Sequence, residues 1–164
     1  MVKVSVLTPS YNYGKFIGDA VISVHNQSEV EVEHIVQDGC STDDTFDILS
    51  KFPWVSVKSE PDKGQSDALN KAFRRAKGQW IAWLNADEFY FPDSLHLLVE
   101  IGEEINADIV YGDCVFVDVK GCLLQLLSAH PFNSYVLKHY GCFIPTCATI
   151  IRRNIINEIG KEPW

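Results

Sequence analysis

Oxygen-bearing side chains follow directly after three apolar runs of this chain. The run 80–84 ends in Asn85, Asp87 and Glu88, which offer one amide and two carboxylate groups. The run 33–37 ends in Asp38, and the run 4–7 ends in the polar segment 8–12. Carboxylate oxygens bind hard cations such as Mg²⁺ or Mn²⁺. Because ligands of open α/β sheets bind at the carboxyl ends of the strands, the three ends predict a nucleotide site with a metal.

The first part of the sequence predicts alternating strands and helices that would position these ends. Apolar runs bounded by turn residues indicate strands at about 3–8, 32–37, 54–58 and 79–84. Apolar residues at helical spacing indicate helices at about 14–27, at 65–76 and from Pro92 or Asp93 to 104. A further helix is predicted after Ser41–Asp44, with Phe46, Ile48 and Leu49 as its apolar side. We expect Gly78 to end the helix at 65–76.

The remainder of the sequence has a mixed pattern. It predicts a strand at 108–113, a hairpin of 115–119 and 122–127, a helical or irregular stretch at 132–140, a strand at 147–152 and a helix at 154–159 stopped by Gly160. We therefore predict one α/β domain over 1–164, with a mostly parallel, Rossmann-like sheet flanked by helices. Residues 1–113 would form the nucleotide-binding half and 114–164 the mixed part.

Composition excludes several classes of function. The net charge of -8 argues against nucleic-acid binding, which needs a basic surface. The five cysteines are odd in number and contain no Cys-x-x-Cys pair, which argues against a disulfide framework and a zinc site. The sequence contains neither an apolar signal region at its start nor an apolar run long enough to span a bilayer. These features predict a reduced, cytoplasmic protein without a membrane span.

Four segments in register resemble the family-2 glycosyltransferases, which have the GT-A fold. They are Thr8–Asn12, Asp38–Asp43, Asp62–Gly64 leading into 68–70, and Leu84–Glu88. Together they cover about residues 3–120. Their agreement in order and spacing makes the resemblance far more specific than any one segment would.

The resemblance implies transfer of a sugar from a nucleotide-diphosphate donor to an acceptor hydroxyl, with inversion and with Mn²⁺ or Mg²⁺. It implies a UDP-sugar as donor, and a glycan or lipid-linked acceptor of the kind used in polysaccharide biosynthesis. Asp87 would bind the metal, with Asn85 in place of the first Asp of the family's Asp-x-Asp motif. The donor would be bound by Thr8, Pro9, Tyr11, Asp38, Asp62, Gly64, Asn85 and Ala86.

Structural roles compete with several of these assignments. Asn85 and Asp87 suit a turn, and Asp38 suits a turn with Gly39. Pro9 suits a loop packed on the core, and Asp43 and Asp44 suit a helix N-terminus. Arg152 and Arg153 follow a late strand and could reach a phosphate.

The catalytic base is the part of the family pattern that this sequence does not supply. In the family it is an acidic residue that we expect beyond Trp164, whereas Glu158 and Glu162 fit no matching motif. The alternatives are therefore a non-catalytic nucleotide-sugar-binding module or a truncated fragment. A dehydrogenase would need several glycines after the first strand, where only Gly14 occurs. An apolar face of Phe143, Ile144, Ile150 and Ile151 would favour a homodimer.

Overall fold

The computed structural model describes residues 3–159, and strands and helices alternate up to residue 104, as predicted for the first part of the chain. The strands are β1 (Val4–Ser10), β2 (Val32–Asp38), β3 (Ser56–Ser59), β4 (Trp80–Trp83), β5 (Ile109–Tyr111), β6 (Cys114–Val117), β7 (Leu123–Leu127) and β8 (Thr149–Arg152). The helices are α1 (Gly14–His25), α2 (Thr45–Leu49), α3 (Gln65–Phe73), α4 (Ser94–Glu104), α5 (Ser134–His139) and α6 (Arg153–Ile159), with a 3-10 turn at Thr146–Ala148.

Six of these strands form one sheet in the order β3-β2-β1-β4-β8-β5. Strands β3, β2, β1 and β4 are mutually parallel, as the predicted Rossmann-like fold requires. Strand β8 is antiparallel to both of its neighbours, β4 and β5. The late strand therefore runs back through the sheet from its carboxyl edge towards its amino edge.

Helices cover both faces of the sheet, which explains why its central strands are apolar throughout. All seven residues of β1 are buried, a pattern typical of a parallel strand with helices on both sides. On one face, Val4 and Val6 pack with α1 and α4, and on the other face Leu7 packs with α3 and α6. A third cluster joins α1 and α2 to Val36 and Ala86.

Several predicted boundaries were wrong. Helix α3 ends at Phe73, because the amides of Arg75 and Ala76 bond to carbonyls only three residues earlier and tighten the last turn. Gly78 lies beyond the helix end, where a Cβ would lie 2.5 Å from the backbone nitrogen of Ser5. Its role is to permit close approach to β1. Phe46 is half exposed and does not belong to the apolar side of α2.

The C-terminal part contains the predicted hairpin and late strand. Strands β6 and β7 pair only with each other, in a two-stranded sheet. Ile150 is fully buried in β8, so the predicted exposed face of Phe143, Ile144, Ile150 and Ile151 was wrong at that position. Gly160, expected to stop α6, lies outside the described residues. Among residues 3–159, no helix is both long and apolar enough to traverse a bilayer.

Candidate functional site

The strand order creates a crevice at the carboxyl ends of β1 and β4. From β1 the chain moves to β2 and β3 on one side of the sheet, and then crosses to β4 on the other side. Neighbouring strands that connect in opposite directions leave an opening between their following loops, where ligands of α/β sheets bind. Tyr11 follows β1 at this position, and Asn85–Glu88 follow β4.

Hydrogen bonds hold the Asn85–Glu88 loop in one conformation. The Asn85 amide donates to Glu88 Oε2 at 2.7 Å, and the Glu88 amide donates to the Asn85 carbonyl at 3.1 Å. Asn85 Oδ1 accepts from Trp83 Nε1 at 2.8 Å and from Gln65 Nε2 at 2.7 Å. Ala86 is buried in the α1–α2 cluster, so only its backbone could meet a ligand. The loop is a turn, as its residue types favour, and it also presents side chains to the crevice.

Asp87 is the carboxylate that this loop leaves available. It is exposed and makes no hydrogen bond or ion pair with another residue of the described part of the chain. Glu88, by contrast, is half-buried, and desolvation raises the pKa of its carboxyl group above the ordinary value. Because Glu88 is partly buried and accepts a hydrogen bond from the Asn85 amide, its carboxylate is less available to a ligand than that of Asp87.

The carboxylates of Asp87 and Glu88 suit a divalent cation whose other binding oxygens come mainly from a bound phosphate compound and water. Residues 3–159 contain no cluster of three or more His, Cys, Asp or Glu side chains able to hold a metal alone. A hard cation bound to phosphates needs only one or two protein carboxylates, because phosphate and water oxygens complete its shell. Asp87 could supply one such carboxylate, and Glu88 follows it in the chain.

Tyr11, Gly39 and Asp62 meet on the other side of the crevice. A Cβ built at Gly39 would lie 2.7 Å from Asp62 Oδ2 and 3.5 Å from Tyr11 Cδ2. Tyr11 is 58% exposed, so much of this aromatic residue is accessible to a ligand. Asp62 Oδ1 accepts from the Gly64 amide at 2.8 Å. Gly64 directly precedes α3 and has φ 112°, a backbone conformation that favours glycine.

The two sides are joined through the start of α3. Gly64 is followed by Gln65, whose side chain reaches Asn85. Asp62, which lies beside Gly39 as Tyr11 does, is therefore linked through the Gly64 amide and the Gln65 side chain to Asn85. Nothing in the local sequence pattern indicated Gln65, because a polar residue in a first helical turn is ordinarily solvated.

Three of the residues predicted to bind the sugar donor point their side chains into the protein. Asp38 is buried, and its carboxylate accepts from the Ser41 amide at 3.0 Å and from the hydroxyls of Ser41 and Ser59 at 2.5 and 2.6 Å. Thr8 Oγ1 is 2.8 Å from His34 Nε2 within the core, and Pro9 is buried in β1. These residues shape the loops that line the crevice.

The loop after β1 is also held by the side chains of Asn12 and Asp43. Asn12 Oδ1 accepts from the Thr42 amide at 2.8 Å. Asp43 accepts from the amides of Gly14 and Thr45 at 3.0 and 3.1 Å, and its hydrogen bonds, led by that from the Thr45 hydroxyl, lower its pKa. The structural role favoured for Asp43 by its helix N-terminus is confirmed.

A cavity of about 670 Å³ opens beside the carboxylates. Asp87 and Glu88 form its polar end, and Asp113 also lines it. The rest of the wall is mostly apolar and comes from the loop 89–91, α4, β5 and β6. An extended ligand could therefore place one polar group at Asp87 while its remainder lies between α4 and the hairpin.

Arg152 does not reach this crevice, so its suggested phosphate contact was wrong. Its guanidinium lies 4.4 Å from the ring centroid of Trp80, the first residue of β4. It also donates to the carbonyls of Ala107 and Gly102 at 2.6 and 3.1 Å. The antiparallel direction of β8 places Arg152 at the amino edge of the sheet, opposite the crevice.

Comparison with protein families gives a match over most of the chain. Residues 5–160 match the family model described as Glycosyl transferase family 2. One relative is TuaG of Bacillus subtilis (strain 168), provisionally assigned as a teichuronic acid biosynthesis glycosyltransferase. It is 41% identical over 102 residues, which are 59% of this chain and 40% of TuaG.

Solved structures show the same fold. Residues 1–349 of Staphylococcus aureus TarS, in complex with UDP-GlcNAc, superpose with a TM-score of 0.74 at 21% identity, covering 96% of this chain and 47% of that one. The mannosyltransferase PcManGT from Pyrobaculum calidifontis, in complex with GDP-Man and Mn²⁺, gives a TM-score of 0.69 at 18% identity, covering 96% and 46%. The chain spans less than half the length of each of these three proteins. The predicted GT-A fold is confirmed.

Proposed function

The chain belongs to glycosyl transferase family 2, and from that membership we propose that it transfers a sugar from a nucleotide-diphosphate donor to an acceptor hydroxyl. The observation that carries this proposal is the pair of surfaces at the β1–β4 crevice. Tyr11 and Asp62 lie on one side, and the available carboxylate of Asp87 lies on the other. One side suits a nucleoside and the other suits a metal-bound diphosphate.

The nucleoside would lie against Tyr11, Gly39 and Asp62. An aromatic face can stack on a base, and a carboxylate accepts hydrogen bonds from a base N–H or a ribose hydroxyl. Gly39 lets Asp62 and Tyr11 lie close to its backbone, and Gly64, which has no atom within 4 Å of its Cβ position, leaves the backbone open to close approach. Thr8, Pro9, Asp38, Asn85 and Ala86 complete the donor site by shaping its loops. Uridine is the proposed base, supported by the likeness to TarS, which binds UDP-GlcNAc.

The diphosphate would lie towards Asp87 and Glu88. These side chains are acidic, so a doubly charged phosphate pair would be repelled unless a cation lies between them. Mn²⁺ or Mg²⁺ held by Asp87 would neutralise charge on the diphosphate leaving group. This assignment is supported by PcManGT, which binds GDP-Man with Mn²⁺. Asn85, held by Trp83 and Gln65, keeps Asp87 in position.

The acceptor would enter through the cavity beyond the carboxylates. We propose residues 1–113 as the donor-binding half and 114–164 as part of the acceptor side. A direct displacement by the acceptor hydroxyl inverts the anomeric carbon and requires a base to take the hydroxyl proton. We propose that this base follows Trp164. The relation to TuaG supports a glycan or lipid-linked acceptor in polysaccharide biosynthesis.

Calorimetric titration with UDP, with and without Mn²⁺, tests the donor site. We expect UDP binding to depend on the metal and to weaken by roughly tenfold or more in Asp87→Asn, since losing a contact with a charged group costs about 1.5–3 kcal/mol. Asp47→Asn is a matched control, because Asp47 is an exposed carboxylate on α2. Metal-independent binding that is equal in all three proteins would contradict the proposal.

Release of UDP from a UDP-sugar, across a panel of acceptors, separates an enzyme from a binding module. Turnover that Asp87→Asn abolishes supports the transferase. Tight donor binding without turnover on any acceptor would favour the non-catalytic module.

A homodimer is also part of the proposal, supported by exposed apolar residues on the hairpin such as Leu123 and Leu124. A concentration-independent monomer in sedimentation would contradict it.

A further inference from the structure

Two cysteine thiols lie in contact at the wall of the cavity. Cys114 Sγ and Cys147 Sγ are 3.3 Å apart, and both residues are half-buried. Cys114 begins β6, and Cys147 lies in the 3-10 turn that precedes β8. Both line the cavity that also contains Glu88.

The sheet register explains why residues so far apart in sequence meet. Tyr111 of β5 pairs with Thr149 of β8, and the Gly112 amide donates to the Ala148 carbonyl at 2.9 Å beyond the end of that pairing. Continuing the same antiparallel register brings the residues after Gly112 beside those before Ala148. The contact between the thiols is therefore supported by backbone hydrogen bonds between the two segments that contain them.

We propose that Cys114 and Cys147 are a redox modification site, a thiol pair that a small-molecule disulfide oxidises to an intramolecular disulfide. The two sulfur atoms need to approach by only a little over ~1 Å to reach bonding distance. Such a bond would tie the β6–β7 hairpin to the turn before β8. It would thereby hold one wall of the cavity against the main sheet.

The reaction balances as two thiol–disulfide exchanges with oxidised glutathione. One protein thiolate attacks a glutathione sulfur, which forms a mixed disulfide and releases one glutathione thiolate. The second protein thiolate attacks the protein-side sulfur of that mixed disulfide, which forms the Cys114–Cys147 bond and releases the second glutathione. The pair loses two electrons and two protons, and oxidised glutathione becomes two reduced molecules.

The environment of Cys147 disfavours its thiolate at neutral pH. Desolvation, followed by the charge of Glu88, raises the pKa of Cys147 to about 12. Because only the thiolate reacts, its reactive fraction rises about 100-fold between pH 7 and pH 9. In a reducing compartment the pair stays reduced, and it would oxidise only when the balance of disulfides to thiols rises.

The test uses the background variant Cys40→Ser/Cys122→Ser/Cys142→Ser, which leaves the pair as the only cysteines of the chain. After treatment with oxidised glutathione at pH 9, we expect intact-mass spectrometry to show the loss of two hydrogens and no glutathione adduct. Peptide mapping would then identify the Cys114–Cys147 cross-link. The further variant Cys114→Ser should react only slowly and stop at a mixed disulfide on Cys147.

Repeating the oxidation in concentrated urea separates proximity in the fold from chance closure. We expect ring closure at least about tenfold faster in the folded protein, because folding holds the sulfur atoms in contact. A folded protein that stops at the glutathione adduct, keeps both thiols free to alkylation, or closes no faster than the unfolded chain would overturn the proposal.

Discussion

The side chain of Gln65 donates to Asn85 Oδ1 at 2.7 Å, which joins the first turn of α3 to the loop that contains Asp87. This bond connects the side of the crevice proposed for the nucleoside to the side proposed for the metal. We expect Gln65→Ala to weaken UDP–Mn²⁺ binding by about fivefold, the effect of losing one hydrogen bond of about 1 kcal/mol. Calorimetric titration measures this change.

Gln125→Ala is the matched control for that experiment, because Gln125 is exposed on the separate β6–β7 hairpin. It should bind UDP like the unmodified protein. An unchanged affinity in Gln65→Ala would show that the crevice does not depend on the link between the two loops.

Gly39→Ala should reduce nucleotide binding with little loss of stability. The added Cβ would lie 2.7 Å from Asp62 Oδ2, so the flexible end of the Asp62 side chain must move. Gly18→Ala on α1 is the control, since its Cβ would meet only Ile48 Cγ2 of α2, at 3.7 Å. We expect at least about fivefold weaker UDP binding in Gly39→Ala, with its melting temperature close to that of the unmodified protein. Equal affinity would remove Asp62 and Gly39 from the proposed nucleoside site.

Gly78→Ala should instead destabilise the fold. Its Cβ would lie 2.5 Å from the Ser5 nitrogen and 2.8 Å from the Val4 carbonyl carbon, and backbone atoms of a buried central strand cannot easily move. We expect a loss of about 1–3 kcal/mol in the free energy of unfolding, measured by urea denaturation. Gly112→Ala, whose Cβ would lie 3.8 Å from Leu98, should lose much less. Similar losses in both variants would contradict this explanation.

His34 should make the protein less stable in acid. Desolvation lowers the pKa of this buried imidazole from 6.5 to about 3. Between these values the unfolded chain binds a proton that the folded protein excludes, so stability falls as the pH decreases from 6.5 towards 3. One proton corresponds to a slope of about 1.4 kcal/mol per pH unit.

Urea denaturation between pH 6 and pH 4 measures that slope. We expect His34→Gln to show a slope smaller by roughly this amount. His96→Gln, which replaces a more exposed histidine on α4 near Glu100, should keep the slope of the unmodified protein. If all three proteins had the same slope, proton exclusion at His34 would not control acid stability.

The sequence by itself was sufficient for the alternation of strands and helices in the first part of the chain and for the apolar spacing that indicated α3. Both are local properties, because apolar spacing reports which side of a helix or strand is buried. It also located the loops after β2, before α3 and after β4, in which Asp38, Asp62 and Asp87 lie at or near the ends of elements. It was less informative about orientation, and the inward direction of Thr8 and the exposure of Phe46 depend on neighbours that local spacing does not describe.

The tertiary structure alone decided how the distant parts of the chain meet. The antiparallel insertion of β8 beside β4 placed Arg152 opposite the crevice and brought Cys114 to Cys147. The direction of a late strand and the contact of Gln65 with Asn85 depend on pairing between remote segments, and neither leaves a periodic signal in the chain. Local patterns therefore determined which residues stand at the strand ends, whereas long-range strand pairing determined which of those residues share a site.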